Sequence, residues 1–331
     1  MHLKDPWFRI SQVLTCVQIR GKASTPIHNA SRDLGTPDHL RLSNKQHQVF
    51  TFQLLTFDFK MLFLIDAMGS AFEQDSASFL LLKMQPQVLL SSFLDQDSAA
   101  PSSPAPWLLV GLLLHFLGGL VLLPQAPASV LSSESRHWKW QNTYLARIAA
   151  AITGVWALSA LYASPEMRND LMLTSSSSAE CLVAFSIGVH LAEAVDMVWH
   201  KQPSKLLIHH VFVILCFAGT LLTGNAVGFA VLSLVTEVNS VFNKTRIIHV
   251  VSGIDRASEE FQLNARINLA TFAIRMAIVA WMNHQSFLYF GVLPLAFLLP
   301  CNLGLLFVNF WNISVFRQLV VADLVKKAKA H

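Results

Sequence analysis

The sequence predicts an all-α, polytopic integral membrane protein of about seven transmembrane helices around an internal polar cavity. Hydrophobic residues make up 53% of the 331 residues and charged residues only 13%, whereas soluble domains carry about 25% charged residues. Apolar runs near the roughly 20 residues that span a bilayer recur after residue 106. Polar side chains recur inside these runs at helical spacing.

The composition divides the chain into four parts. Residues 1–106 are polar and form an N-terminal extension that we expect to be disordered, because they combine scattered charge with no period. A first transmembrane helix is predicted at 107–124. A larger helical membrane domain is predicted at 136–320, and a basic cytosolic tail at 321–331.

The apolar runs predict where each span lies. Approximate bounds are 107–124, 143–163, 179–199, 206–223, 226–243, 264–283 and 287–316. The last run is too long for one straight helix, and we expect Pro294 and Pro300 to divide it.

The distribution of Lys and Arg predicts the orientation of the spans. These residues cluster in alternate short loops, so the positive-inside rule places the C-terminus in the cytosol. The net charge of +4 is small and is explained by this clustering, and no nucleic-acid partner is predicted. The four cysteines are too scattered to predict a disulfide framework.

Ionisable side chains inside the spans are expensive and therefore informative, because each costs about 2.5–3.5 kcal/mol at the bilayer centre. One face of the third span and its end carry four of them, namely His190, Glu193, Asp196 and His200. The sixth span carries a polar stripe of Asn264, Asn268, Thr271 and Arg275. We expect these groups to line an interior cavity. The predicted cavity-lining polar residues are His190, Glu193, Asp196, Asn268 and Arg275.

Two other interpretations of the same groups stay open. They could pair between helices, for example Arg275 with Glu237 or Asp196. They could also form a metal or catalytic site around His209 and His210. Adjacent histidines on a helix point about 100° apart and no HExxH spacing occurs, so no metal site is predicted. No nucleotide or other cofactor motif is present, and no cofactor is predicted.

Residues 136–276 resemble the TLC domain family, which includes ceramide synthases and translocon-associated membrane proteins. The resemblance rests on RHWKWQNTYLARIAAAITGVWAL, SIGVHLAEAVDMV, LLIHHVFVILCFAGTLLTGNAVGF and LVTEVNSVFNKTRIIHVVSG, in that order. Asp196 stands at an acidic position of the family. The resemblance implies a TLC-type bundle or barrel of helices over 136–320, around a lipid-sized cavity.

The run from Leu234 to Phe242 most resembles the TLC-domain regulators of plasma-membrane fluidity. That likeness implies a role in lipid homeostasis: limiting the incorporation of long-chain polyunsaturated fatty acids into membrane phospholipids. It also implies membrane lipids as partners, as phospholipid or fatty acyl chains, and favours the plasma membrane. Other membrane proteins are a further class of partner.

Ceramide synthases instead carry a His-Asp-x-x-Asp arrangement, where this chain has one carboxylate, Glu237, followed by Asn239. The incomplete set favours a protein without enzymatic activity. A ceramide-synthase-like lipid acyltransferase is the alternative, with His209, His210 and Glu237 as candidate catalytic residues. A lipid- or cargo-handling protein of the endoplasmic reticulum is another, because the C-terminal Lys-x-Lys-x-x sequence resembles a retrieval signal.

Overall fold

A computed structural model describes residues 103–201 and 204–325, and over these ranges the chain consists of helices joined by short loops, with no β-strand. The predicted disorder of the N-terminal extension, and the basic residues of the tail, lie outside these residues. The elements are α1 (Ala105–Val121), α2 (Ala128–Leu131), α3 (Glu134–Ala163), α4 (Pro165–Asn169), α5 (Ser177–Trp199), α6 (Ser204–Thr223), α7 (Val227–Val235), α8 (Glu237–Ser252), α9 (Glu259–Leu288), α10 (Leu295–Val320) and a π-helical turn (Val321–Val325).

The prediction of an all-α, polytopic membrane protein is confirmed. Five of the described helices are long and apolar enough to cross a bilayer, namely α3, α5, α6, α9 and α10. The first predicted span is the 17-residue helix α1. The fifth predicted span is not one helix, because the chain breaks at Thr236 into α7 and α8.

The last two spans differ from their predicted bounds. Helix α9 continues to Leu288, and a turn containing Gly291, with a φ of +93°, leads into α10. Pro294 precedes the first residue of α10, where its fixed φ suits a helix start. The expected break at Pro300 is wrong. This proline lies inside α10, where it removes only one intrahelical hydrogen bond and the helix continues.

Helix α7 lies at the centre of the bundle. Every residue from Val227 to Val235 except Ser233 is buried, and the helix contacts α3, α5, α6 and α9. The most apolar 18-residue stretches of α3 and α5 are also mostly buried, whereas α6, α9 and α10 expose many apolar side chains. In a bilayer these exposed faces are solvated by lipid, so the short buried helix is shielded on all sides by longer ones.

Helix α1 crosses α5 where two glycines allow the backbones to touch. A Cβ atom added at Gly111 would lie 2.1 Å from the carbonyl oxygen of Phe185. One added at Gly188 would lie 2.0 Å from the carbonyl oxygen of Leu108. Small residues at such crossings are a common basis of helix association in membranes. The pair therefore fixes the first span against the bundle.

The C-terminal end of α10 is fixed by a buried ion pair. Arg246 of α8 donates from Nε and Nη2 to the two carboxylate oxygens of Asp323, at 2.7 and 2.6 Å. Asp323 lies in the π-helical turn and its side chain is only 1% exposed. The first residues assigned to the tail from the sequence are therefore packed against the bundle.

Gly111→Ala is expected to destabilise the protein by about 1–3 kcal/mol, because overpacking at the α1–α5 crossing must displace backbone. Gly119→Ala on the same helix is the matched control, since its Cβ would meet only the Leu145 side chain at 3.8 Å. Thermal unfolding of the purified protein measures both. Equal unfolding temperatures for the two variants would contradict the close crossing.

Candidate functional site: a cavity between the membrane-spanning helices

The site is a half-open cavity of about 140 Å³ lined by residues of α5, α6, α7, α9 and α10 and bordered by the start of α8. About 10–15 Å³ on this scale holds one water molecule, so the space suits a segment of a larger apolar molecule. Most of its lining is apolar, including Phe212, Phe217, Phe229, Phe297, Leu305 and Val308. The polar lining residues include His190, His209, Ser233, Thr236, Glu237 and Arg275.

The break between α7 and α8 supplies two of these polar residues. The backbone N–H and the hydroxyl of Thr236 both donate to the carbonyl oxygen of Ser233, at 3.1 and 2.6 Å. This doubly used carbonyl ends α7, and α8 begins at Glu237. Irregular backbone at membrane depth is tolerated where it is buried in protein or lines a cavity. The break therefore places a carboxylate, at the positive end of α8, on the cavity wall.

Arg275 of α9 is the cation of the cavity. Its Nη1 atom donates to the hydroxyl of Ser240 at 3.0 Å, while its buried Nε has no hydrogen-bond partner. Among the residues that the structure describes, no carboxylate oxygen lies within 4.0 Å of the guanidinium. The proposed ion pair with Asp196 is therefore wrong, and Glu237 acts on Arg275 only from a longer distance.

Glu237 and His209 also face the cavity. Over the described ranges, the Glu237 carboxylate has no hydrogen bond and no ion pair within 4.0 Å. The cavity thus offers an anion, a cation and an imidazole against a mostly apolar lining. Such a set suits an amphipathic ligand with a long apolar part and a small polar group.

His190, Glu193 and His210 form a separate polar cluster where α5 meets α6. The Nδ1 atoms of the two imidazoles lie 3.1 Å apart. Glu193 Oε2 lies 3.7 Å from His190 Nδ1 and 3.6 Å from His210 Nε2. Lys244 of α8 lies 3.7 Å from the other oxygen, Oε1. Of the three clustered residues only His190 also lines the cavity, so Glu193 and His210 contribute to the wall behind it.

Asp196 lies away from the cavity and joins α3 to α5. It accepts hydrogen bonds from Trp138 Nε1 at 3.2 Å and from Asn142 Nδ2 at 2.5 Å. His200 Nδ1 lies 3.1 Å from its second oxygen, and the rings of Trp138 and His200 stack at 4.4 Å. The acidic position of the family is therefore a helix-joining position in this chain.

Asn268 is fully buried and also lies outside the cavity lining. It accepts a hydrogen bond from Asn239 Nδ2 at 3.1 Å, and Asn239 Nδ2 also donates to the hydroxyl of Thr271 at 2.9 Å. Asn264 Nδ2 donates to the carbonyl oxygen of Phe242 at 3.1 Å. The residues of the polar stripe of the sixth span thus have two roles. Its asparagines join α9 to α8, and only Arg275 faces the cavity.

Two functional contacts were missed by sequence reasoning. The predicted fifth span ends at residue 243 and leaves Lys244 in the loop that follows, yet α8 extends to Ser252 and brings Lys244 to Glu193. Ser240 lies within the predicted fifth span, where no partner was assigned to it, and it accepts a hydrogen bond from Arg275. The available signal was the spacing of Glu237, Ser240 and Lys244, at i, i+3 and i+7, which places them on one helix face.

Asp196→Ala is expected to destabilise the protein by about 1 kcal/mol, because Trp138 and Asn142 lose a half-buried acceptor. Asp196→Asn is the matched control, since it keeps one acceptor oxygen and should lose less. Thermal unfolding in detergent measures the difference. An Asp196→Ala protein as stable as the wild type would contradict a helix-joining role.

The TLC domain family model matches residues 139–321. TLC domain-containing protein 2 of Danio rerio is 34% identical over 196 residues, which cover 58% of this chain and 79% of the relative. TLC domain-containing protein 1 of Mus musculus is 32% identical over 228 residues, covering 66% and 90% of the two chains. No solved structure matches. The chain therefore belongs to the TLC domain family, as an integral membrane protein of that family.

Proposed function

We propose that this protein regulates the acyl composition and fluidity of membranes by limiting the incorporation of long-chain polyunsaturated fatty acids into phospholipids. The observation that carries the proposal is the cavity, whose apolar lining ends at an Arg275 that lacks an anionic partner within ion-pair distance. Its ligand is an acyl lipid drawn from the surrounding bilayer.

The lining explains why an acyl chain suits the cavity. Aromatic and aliphatic side chains of α6, α7 and α10 make up most of the surface. Because lipid tails are already apolar, burial in this lining alone gives little preference for the cavity over the bilayer. Preference must come from shape and from the polar end, where a buried guanidinium is costly without an anion.

Arg275 therefore supplies the selectivity. A guanidinium binds a carboxylate or phosphate through two parallel N–H donors, and the buried Nε of Arg275 has no hydrogen-bond partner within the protein. A fatty-acid carboxylate or a phospholipid phosphate at this point would give Arg275 an anion within ion-pair distance. Holding acyl lipid in this way would withdraw it from phospholipid synthesis, with no chemical step required.

Arg275→Gln is expected to weaken binding of such a lipid about tenfold or more, because a hydrogen bond to a charged group contributes about 1.5–3 kcal/mol. Cells lacking the protein and re-expressing this variant, fed a labelled polyunsaturated fatty acid, should carry more label in phospholipids than wild-type cells. Ceramides should stay level. Lipidomics of both classes in one run measures the result.

Arg266→Gln is the matched control, because Arg266 is exposed on the same helix. It should restore the wild-type phospholipid profile at equal expression. Full restoration by Arg275→Gln would contradict the proposal, and a fall of particular ceramides with unchanged phospholipids would favour the second candidate function.

That second candidate is a ceramide-synthase-like acyltransferase, and one observation favours it: His209 and Glu237 line the same cavity. An imidazole base with a nearby carboxylate is suited to general acid–base work on an amine. In that case purified protein would form an amide from an acyl-CoA and a sphingoid base. His209→Gln would lower the rate about 100-fold or more. An absence of product from the wild-type protein would eliminate this function.

The plasma membrane is the compartment in which we place this role, because the family likeness of residues 234–242 is to regulators of plasma-membrane fluidity. Retention in the endoplasmic reticulum through the Lys-x-Lys-x-x sequence is the alternative. A lipid- or cargo-handling role would accompany it, with other membrane proteins as partners.

A further inference from the structure

The side chains of His190, Glu193 and His210 form a cluster that has no role in the proposed lipid binding. Helix α5 supplies His190 and, one turn later on the same face, Glu193. Helix α6 supplies His210, which is turned away from the cavity that its neighbour His209 faces. One ligand atom from each of the three side chains lies within 4.8 Å of the others.

The two carboxylate–imidazole distances in this cluster are slightly longer than the ligand–ligand distances within a metal coordination shell. Tetrahedral zinc with bonds of about 2.0–2.2 Å to nitrogen and oxygen separates its ligand atoms by about 3.3 Å. Glu193 Oε2 lies 3.7 Å from His190 Nδ1 and 3.6 Å from His210 Nε2. The helices already bring the ligand atoms within 4.8 Å of one another. An ion between them would replace the 3.1 Å contact between the two Nδ1 atoms, because His190 Nδ1 is one of the ligands.

Lys244 positions the carboxylate rather than competing for the same atom. It lies 3.7 Å from Glu193 Oε1, whereas both histidines face Oε2. Metal-ligating carboxylates are commonly held by a second contact of this kind, which fixes their orientation. The two oxygens of Glu193 thus have separate partners, and one of them is directed at the two imidazoles.

We propose that His190, Glu193 and His210 bind a divalent transition-metal ion, with zinc the ion that best fits two imidazoles and one carboxylate. Three protein ligands leave a fourth position for water or another small ligand. Since His190 also lines the cavity, the ion lies at the cavity wall.

From the sequence, only His209 and His210 were considered as a metal-binding pair, and no metal site was predicted. In the structure only His210 joins the cluster, and α5 supplies the other ligands. This site does not depend on which lipid the cavity binds.

The test is the metal content of the full-length protein, purified in detergent and measured by mass spectrometry, followed by chelation and titration with Zn²⁺ alone. The wild type should hold about one zinc per chain and take it up again saturably. His210→Gln and Glu193→Gln should each lower the affinity at least as much as the roughly 10–100-fold typical of losing an outer-shell partner.

His209→Gln is the matched control, being the same change at the next residue of the same helix. It should keep the metal. Reconstitution of the wild type with Co²⁺ needs no variant and should give the visible absorption of a four-coordinate site, lost when Zn²⁺ is added. A wild-type protein without stoichiometric or saturable zinc would overturn the proposal. So would equal loss of zinc from His209→Gln and His210→Gln.

Discussion

The structure depends on one constraint: in hydrocarbon, a charged or strongly polar group must find its partners inside the protein. Asp196 meets that need by joining α5 to α3, and Asn239 by joining α8 to α9. Glu193 is enclosed by two histidines and a lysine. Once these groups are paired, Arg275 and Glu237 remain directed at the cavity, each without an ion-pair partner in the described chain. The unpaired groups, rather than the whole polar set, define the site.

The end of the central helix α7 determines where Glu237 meets the cavity. Helix α7 is short and almost wholly buried, and it ends where Thr236 closes on the carbonyl oxygen of Ser233. If α7 and α8 were one straight helix, residue 237 would stay in the regular hydrogen-bond ladder. The break instead makes Glu237 the first residue of a new helix beside the cavity. Discontinuous helices mark ligand sites in many membrane transporters, and here the same device serves an apolar cavity.

Local features of the sequence predicted the spans, because apolar length and loop charge need no tertiary information. The sequence could not predict which polar side chains would contact each other, since these contacts depend on the rotation of each helix about its axis. Asp196 and Arg275 each belong to a row of polar residues at helical spacing, yet Asp196 joins α5 to α3 and Arg275 faces the cavity. The break at Thr236 had no glycine or proline to signal it. The end of the apolar run left Lys244 in a loop, because the sequence does not distinguish a lysine that faces water from one that contacts Glu193.

The central claim is that an acyl chain occupies the cavity, and photo-crosslinking in native membranes tests it most directly. A fatty acid carrying a diazirine near its methyl end would be activated by light, and the labelled residues mapped by mass spectrometry. The account predicts labelling of cavity-facing residues such as Phe212, Leu305 and Val308, suppressed by excess unlabelled fatty acid. Labelling confined to lipid-exposed residues such as Leu215 and Leu222, without suppression, would contradict it.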